Sequence, residues 1–505
     1  MNRFLMKYAS CNMLLMFWLS IGINAPLQAQ DLFLPDTAFR AQLIQLGLDQ
    51  NQDGKIQRAE VNELTELNLA FSPLVRDLTG LAAFRQLKVL RVNSHPIEVL
   101  PLDSLSQLEI LEASNTQLES LFFPPQAQLK TLLLESNALT RIDLRPLEKV
   151  EAVFMGWSLL EEVELGNHPV LRDLHVASAW LKSLDLSGLP ELRKLEVQNN
   201  QLATLNLRAN PKLEALFCDN NELTELLLPN GYRLNLLLCR RNRLTELDIR
   251  NLSFLEHLDC AENRLTTLQM DRNFGLFSMT CDFNELRQMD FYACPQLRFI
   301  TCTSNKFDKL DLSPLPQLEV IYLNDNYVEE LRLPENGRLG ELHLGSNPVI
   351  KELYVPESNN LYLLGIENCP NLGLVCFYDL KYALRQVNIL DMGSPKVEYA
   401  SCHGTAEVVM DETGLIFPNP ATEKLFLKSR WSQSGNIRVS IPVHVSIFTE
   451  AGKQVLSRKL TAPPGVLTEI DVSYLPEALY FIRVAYDQSV GGYEPIWATI
   501  LVRKE

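Results

Sequence analysis

The chain has 505 residues, of which 46% are hydrophobic and 21% charged, and it carries a formal net charge of −16 with an isoelectric point near 5.1. That acidic balance argues against nucleic acid as the main partner, because phosphate binding needs a basic surface, and against electrostatic docking on anionic membranes. The length leaves room for several domains.

The first 30 residues read as a secretory signal peptide, outside the fold. Arg3 and Lys7 give a positive start, residues 13–23 (MLLMFWLSIGI) are an apolar core too short to span a bilayer, and a small-residue exit follows near Ala29. No later run is apolar and long enough for a membrane-spanning helix.

Residues 31–71 read as a helical cap. Asp36 is placed to cap a helix carrying Phe39, Leu43, Ile44 and Leu46 at helical spacing. Residues 49–60, DQNQDGKIQRAE, then match an EF-hand-like calcium loop at every defining position. Asp49, Asn51 and Asp53 supply side-chain oxygens and Lys55 its backbone carbonyl. Gln57 acts directly or through water, and Glu60 chelates with both oxygens. Gly54 permits the sharp turn and Ile56 points inward. A second helix is expected from residue 59 to about residue 67. The loop is expected to hold Ca2+ as a structural ion stiffening the cap; the alternative is an acidic helix-turn-helix that binds nothing.

From there to residue 400 the sequence repeats. Residues 192–263 contain successive 21-residue units opening L-x-x-L-x-V/C-x-x-N-x-L. An apolar first position recurs every 21 residues from Leu87 to Leu339. A further unit, at Leu361, comes one residue late, after a polar insertion around residues 357–360. The pattern looks like a leucine-rich repeat solenoid of about 14 repeats. Inward apolar residues such as Leu213, Leu216 and Cys218 fit a short parallel strand that only neighbouring units can bury. Stacked about 4.8 Å apart, the strands predict a curved parallel sheet roughly 65 Å along its arc. The ninth position is Asn in most units, suited to bonding backbone groups left free where each strand ends.

The sixth position holds Cys218, Cys239, Cys260, Cys281 and Cys302. In-register strands hold Cβ atoms farther apart than the ~3.8 Å a disulfide prefers, which favours a packed ladder of thiols over bridges or zinc. Near the end of the array, Cys369, Cys376 and Cys402 leave room for one bridge.

Residues at positions three, five, seven and eight of each unit face outward. The fifth-position row includes Phe154, His175, Phe217, Tyr322 and His343. The units starting at Val150 and Leu171 add Trp157 and Trp180, and they replace the Asn column with Ser158 and Ala179. Breaks in local consistency mark functional sites, and large aromatics anchor interfaces. Phe154, Trp157, His175 and Trp180 are therefore the candidate partner-binding patch, with Phe217 and Tyr322 farther along the same row. The competing reading is a degenerate repeat in which Trp covers a gap.

Residues 401–505 lose the period. Short alternating strands with turns at positions such as Ala451-Gly452 predict a small β-sandwich. Pro418-Asn419-Pro420, Gly452-Lys453, the I-D-V-S-x-L run ending at Leu475, Tyr480-Phe481 and Lys504 resemble the C-terminal sorting domain of type IX secretion cargo in Bacteroidetes-type bacteria. Ala478 stands where that family usually places Gly before its aromatic pair. The resemblance implies passage through the type IX machinery across the outer membrane and, commonly, removal of the domain. Residues 31–376, an acidic loop running into 21-residue repeats, resemble internalin-like surface proteins.

Seven histidines are scattered, with no H-E-x-x-H, G-x-S-x-G or phosphate-loop pattern. No enzymatic activity is expected. The reading is a secreted or outer-membrane surface adhesin that binds a protein of host or neighbouring bacterial cells through the concave face. A glycan-binding module and a purely structural surface component are the alternatives.

Overall fold

The computed structural model describes residues 30–401, apart from 70–73, 126, 231–232, 336, 358–359 and 395–396, and beyond 401 the strands of the C-terminal region with residue 453. The expected signal peptide lies outside the described residues, save for its last position. The chain divides into two compact units, Met1–Arg233 and Leu234–Glu505.

In the first unit, helix α1 (Thr37–Gln45) starts at Asp36, whose carboxylate accepts the amides of Ala38 and Phe39 at 2.8 and 3.0 Å. Phe39 and Leu43 are fully buried beneath it. Helix α2 is only Arg58–Val61. The longer helix expected to reach residue 67 does not form. Glu66–Asn68 is instead a strand, paired in register with Val89–Arg91. Leu67 is buried between exposed neighbours, so its period is two, and stacking on Leu90 outweighs helix propensity.

That strand begins a parallel ladder of eight in the first unit, ending at Ala215–Phe217. Each strand has three residues, and its central side chain points inward: Leu132, Val153, Leu174, Leu195 and Leu216 are fully buried. Burying such a side chain is worth roughly 1.5–3 kcal/mol, which one unit alone cannot realise. The second unit holds eight more parallel strands, from Leu236–Leu238 to Asn388–Leu390. Both units thus have the architecture of a leucine-rich repeat solenoid. On the other side of each coil, short second strands pair locally, as Arg141–Asp143 does with Glu162–Glu164 and Lys309–Asp311 with Glu330–Arg332.

The Asn column closes the strand ends. Asn137 Oδ1 accepts from the Thr116 hydroxyl and from the amides of Thr116, Gln117 and Leu118, while its Nδ2 donates to Ala113 O and Leu134 O at 2.8 Å. Position eight adds a column that residue type conceals. Ser94, Asn115, Ser136, Trp157, Ser178, Asn199 and Asn220 all have φ between 54° and 64°, and Arg241, Glu262, Phe283 and Ser304 continue the pattern in the second unit.

The extra residue of the late unit is already present by Ile350, ahead of residues 357–360. Ile350, Leu353 and Val355 repeat the apolar spacing of Val328, Leu331 and Leu333, but Ile350 follows Asn347 by three residues where Val328 follows Asn326 by two. Pro348 explains the slip. The tenth-position amide normally donates to the preceding turn, as Tyr327 N does to Phe307 O at 3.0 Å, and proline has none to give. Helix α3 (Leu380–Gln386) then interrupts the period once more before Asn388–Leu390 rejoins the ladder.

Cys218 in the first unit, and Cys239, Cys260, Cys281 and Cys302 in the second, are fully buried thiols. Cys369 is a buried thiol too, whereas Cys376 is disulfide-bonded. Beyond residue 401 the described strands form two four-stranded sheets, largely antiparallel, in keeping with the expected sandwich. Among the described residues no helix is long and apolar enough to cross a membrane.

Candidate functional site: an outward aromatic patch and an acidic loop

The strand pairs Ala152–Phe154 and Asp173–His175 set Phe154 directly beside His175. Their rings stack with centroids 4.2 Å apart, and His175 Nδ1 lies 2.9 Å from Glu196 Oε2 on the next strand. Burial pushes the Glu196 carboxyl up, but Lys194 and His175 more than offset it and hold it below the usual carboxylate range. The stack is thereby fixed in orientation on a rigid sheet.

Trp157 and Trp180 cover no gap. They are 68% and 53% exposed, and Leu159 between them in sequence is 50% exposed. All three follow the ends of the strands carrying Phe154 and His175, since Trp180 N donates to Leu160 O and Trp157 N to Ala177 O, both at 2.8 Å. Gly156 makes this edge possible: a Cβ there would sit 2.9 Å from Ala177 O. Trp157 also stands in the left-handed region, φ 57°, where a bulky side chain is strained. The patch thus combines a fixed ring stack, two exposed indoles and local strain.

Phe217, on the last strand of the first unit's ladder, has Lys194 Nζ 5.5 Å from its ring centre. Tyr322 belongs to the second unit, so the structure describes it as a cluster of its own. It stacks on His343 at 4.2 Å and donates to Glu341 Oε2 at 2.8 Å. The Tyr362 hydroxyl bonds the same carboxylate, and with Tyr322 it keeps the Glu341 carboxyl below its ordinary range. Residue types alone gave no sign of Leu159, Glu341 or Tyr362; strand register brings them in.

The acidic loop is tightly folded. Asp49 accepts the amides of Asp53 and Gly54 at 3.1 and 2.9 Å, Asn51 Oδ1 accepts Asp53 N at 2.9 Å, and Asp53 Oδ1 accepts Lys55 N at 2.8 Å. Gly54, at φ 78°, makes the turn. Gln57 Nε2 reaches Asp53 at 3.0 Å, and Lys55 Nζ pairs with Asp31 at 2.6 Å. Among the described residues no salt bridge reaches Asp49, Asp53 or Glu60. The donor set suits a hard cation. Glu60, however, closes the loop itself: Oε1 accepts Gln50 N at 2.8 Å and Oε2 accepts Gln57 N at 2.7 Å. Among the described residues no three His, Cys, Asp or Glu side chains converge as a metal cluster. Chelation by both Glu60 oxygens would require those backbone bonds to loosen.

With this geometry in hand, comparison with known proteins bears on each part. Residues 415–491 match the family model of the secretion system C-terminal sorting domain. The chain carries a type IX sorting domain. This cargo protein is accordingly one of the cell surface or the extracellular space. Among solved structures, a leucine-rich repeat protein of Leptospira interrogans is 20% identical with a TM-score of 0.50, covering 66% of this chain and 97% of that one. That likeness shows the repeat fold. The functional domain of InlJ from Listeria monocytogenes, which includes a cysteine ladder, is 19% identical with a TM-score of 0.42, covering 89% of this chain and 93% of its own. YopM from Yersinia enterocolitica is 19% identical with a TM-score of 0.45, covering 66% and 91%. No curated protein sequence matches the chain.

Proposed function

We propose that this secreted cargo protein is a non-enzymatic adhesin that grips a protein on host or neighbouring bacterial cells. The observation carrying the reading is the exposed apolar edge of Trp157, Leu159 and Trp180 beside the Phe154–His175 stack. Scattered surface apolar residues need no explanation, but three large ones on adjoining turns do, and buried aromatics supply most interface energy. Rigid strands beneath them lower the ordering cost of binding. Phe217 extends the same face; Tyr322 and its partners offer a second contact in the other unit.

The acidic loop fits this role as a structural Ca2+ site. Asp49, Asn51, Asp53, the Lys55 carbonyl, Gln57 and Glu60 would hold the ion, which would neutralise the carboxylates and lock the N-terminal cap.

The test is attachment of beads coated with the mature chain to epithelial cells and to bacterial cells. Replacing Phe154 and Trp157 together by Ala is expected to cut attachment at least tenfold while thermal unfolding stays cooperative. Undiminished attachment by a folded variant would sink the patch.

A further inference from the structure

A separate cleft, of about 480 Å³, opens in the second unit among the second strands. It is lined by Leu331, Arg332 and Glu335 on one side and by Tyr354, Pro356 and Tyr378 on the other. Among the described residues Glu330–Arg332 pairs only with Lys309–Asp311, and Glu352–Val355 only with Leu374–Phe377, so no strand pairing between described residues closes the space between the two groups. This is also where the repeat goes out of register, directly after the slip at Pro348.

The residue types are out of pattern as well. The column to which Tyr354 belongs reads Phe122, Asp143, Glu164, Asp185, Asn206, Leu227 in the first unit and Asp248, Gln269, Asp290, Asp311, Arg332 in the second. Tyr354 puts a ring, 52% exposed, where most coils place a polar side chain; Phe122 is the other aromatic of the column. Tyr378 adds a second exposed ring one strand over, its amide donating to Val355 O at 2.9 Å. Val355 pairs with Phe377, so Tyr354 and Tyr378 sit diagonally across the two strands, and both line the cleft.

We propose that this cleft binds a neutral oligosaccharide. A pyranose ring has an apolar C–H face and a rim of hydroxyls that both donate and accept. Tyrosine rings match the face. Arg332, whose nearest carboxylate is 3.9 Å away on Asp311, supplies donors, and Glu335 supplies acceptors. One charge of each sign in the lining suits an uncharged ligand better than an ionised one. The volume falls within the ~300–1,000 Å³ usual for small-ligand sites, and the cleft is open along the surface, so a sugar chain can run through it. A peptide adding itself as a strand is disfavoured, because a three-residue edge offers too few main-chain bonds. The site is independent of the aromatic patch.

Calorimetric titration of the mature chain with maltohexaose, cellohexaose, mannohexaose and xylohexaose tests the assignment. At least one is expected to bind with a Kd between micromolar and millimolar. Tyr354→Ala is expected to weaken it at least tenfold and Tyr354→Trp to retain it, with Tyr292→Ala, on an exposed ring elsewhere, as the neutral control. Failure of all four sugars to bind the folded chain, binding that survives Tyr354→Ala, or capture of peptides at the cleft in place of sugars would overturn it.

Discussion

Trp157→Asn should make the protein more stable and less adhesive at once. Trp157 occupies the left-handed column at φ 57°, and its side chain is 68% exposed, so its loss opens no cavity. A non-glycine residue in that region costs roughly 1–2 kcal/mol, and Asn recovers part of this by bonding locally. Asn also avoids the unfolded-state entropy that Gly would add. It can further bond along the column, as Asn199 Nδ2 does to Ser178 Oγ at 3.2 Å. The net gain is about 0.5–1 kcal/mol, read as a higher denaturant midpoint with unchanged slope. Loss of a central aromatic anchor costs about 2 kcal/mol of binding, or roughly thirtyfold in attachment. Phe283→Asn is the comparison: φ is 55° and exposure 55%, so it should give the same stability gain without the adhesive loss. A Trp157→Asn variant less stable than the parent by 1 kcal/mol or more would refute the strain argument, because the indole would then be packed.

Three further outcomes are expected. Asn137→Ala strips partners from several buried backbone groups at once and should destabilise the first unit by about 3–5 kcal/mol in urea unfolding, where an exposed-site Ala would cost under 0.5. Calcium at a hundredfold excess over its Kd should stabilise the N-terminal cap by about 2.7 kcal/mol, and Glu60→Ala should abolish the gain; equal melting with calcium and with chelator would remove the ion from the account. Burial holds the Asp259 carboxyl above its usual range, so the native state binds that proton more tightly than the unfolded chain and stability falls as pH rises through the window between the two values. Asp259→Asn, which keeps the 3.0 Å bond from Ala261 N, should therefore melt above the parent at pH 7, with the difference fading in acid.

Much of the fold was legible because stacking writes itself into sequence at fixed intervals. The leucines, the Asn column and the buried thiols all occupy the same places in successive coils. The first coil escaped notice because Leu67 and Leu69 stand without the usual Asn and directly follow α2. His95, Thr116 and Cys369 occupy the Asn column under other names: His95 Nε2 meets Leu69 O at 2.6 Å, Thr116 Oγ1 donates to Ala113 O at 3.1 Å, and Cys369 Sγ to Leu344 O at 3.2 Å. Hydrogen-bonding capacity was kept while residue type changed, and a pattern of letters does not register that. The left-handed column is invisible for a similar reason, since Ser, Asn, Trp, Arg and Phe share a backbone conformation and nothing else. At the candidate patch, sequence found the aromatics, but their exposure, the glycine behind them and the second ring cluster depend on register.

The buried thiols carry a consequence for how the protein matures. One chain holds a disulfide at Cys376 and several reduced sulfurs, so shelter rather than compartment must keep the latter from oxidising. Desolvation raises the Cys218, Cys260 and Cys281 thiols far above their ordinary range, which suppresses the reactive anion once each coil is complete. Before that, five sulfurs spaced 21 residues apart on a loose chain could cross-link in many wrong ways. Coil-by-coil winding, in which each new turn needs only the one beside it, seals every sulfur soon after its neighbour is in place. Export of this molecule is thus a race between winding and oxidation, and its local architecture favours winding.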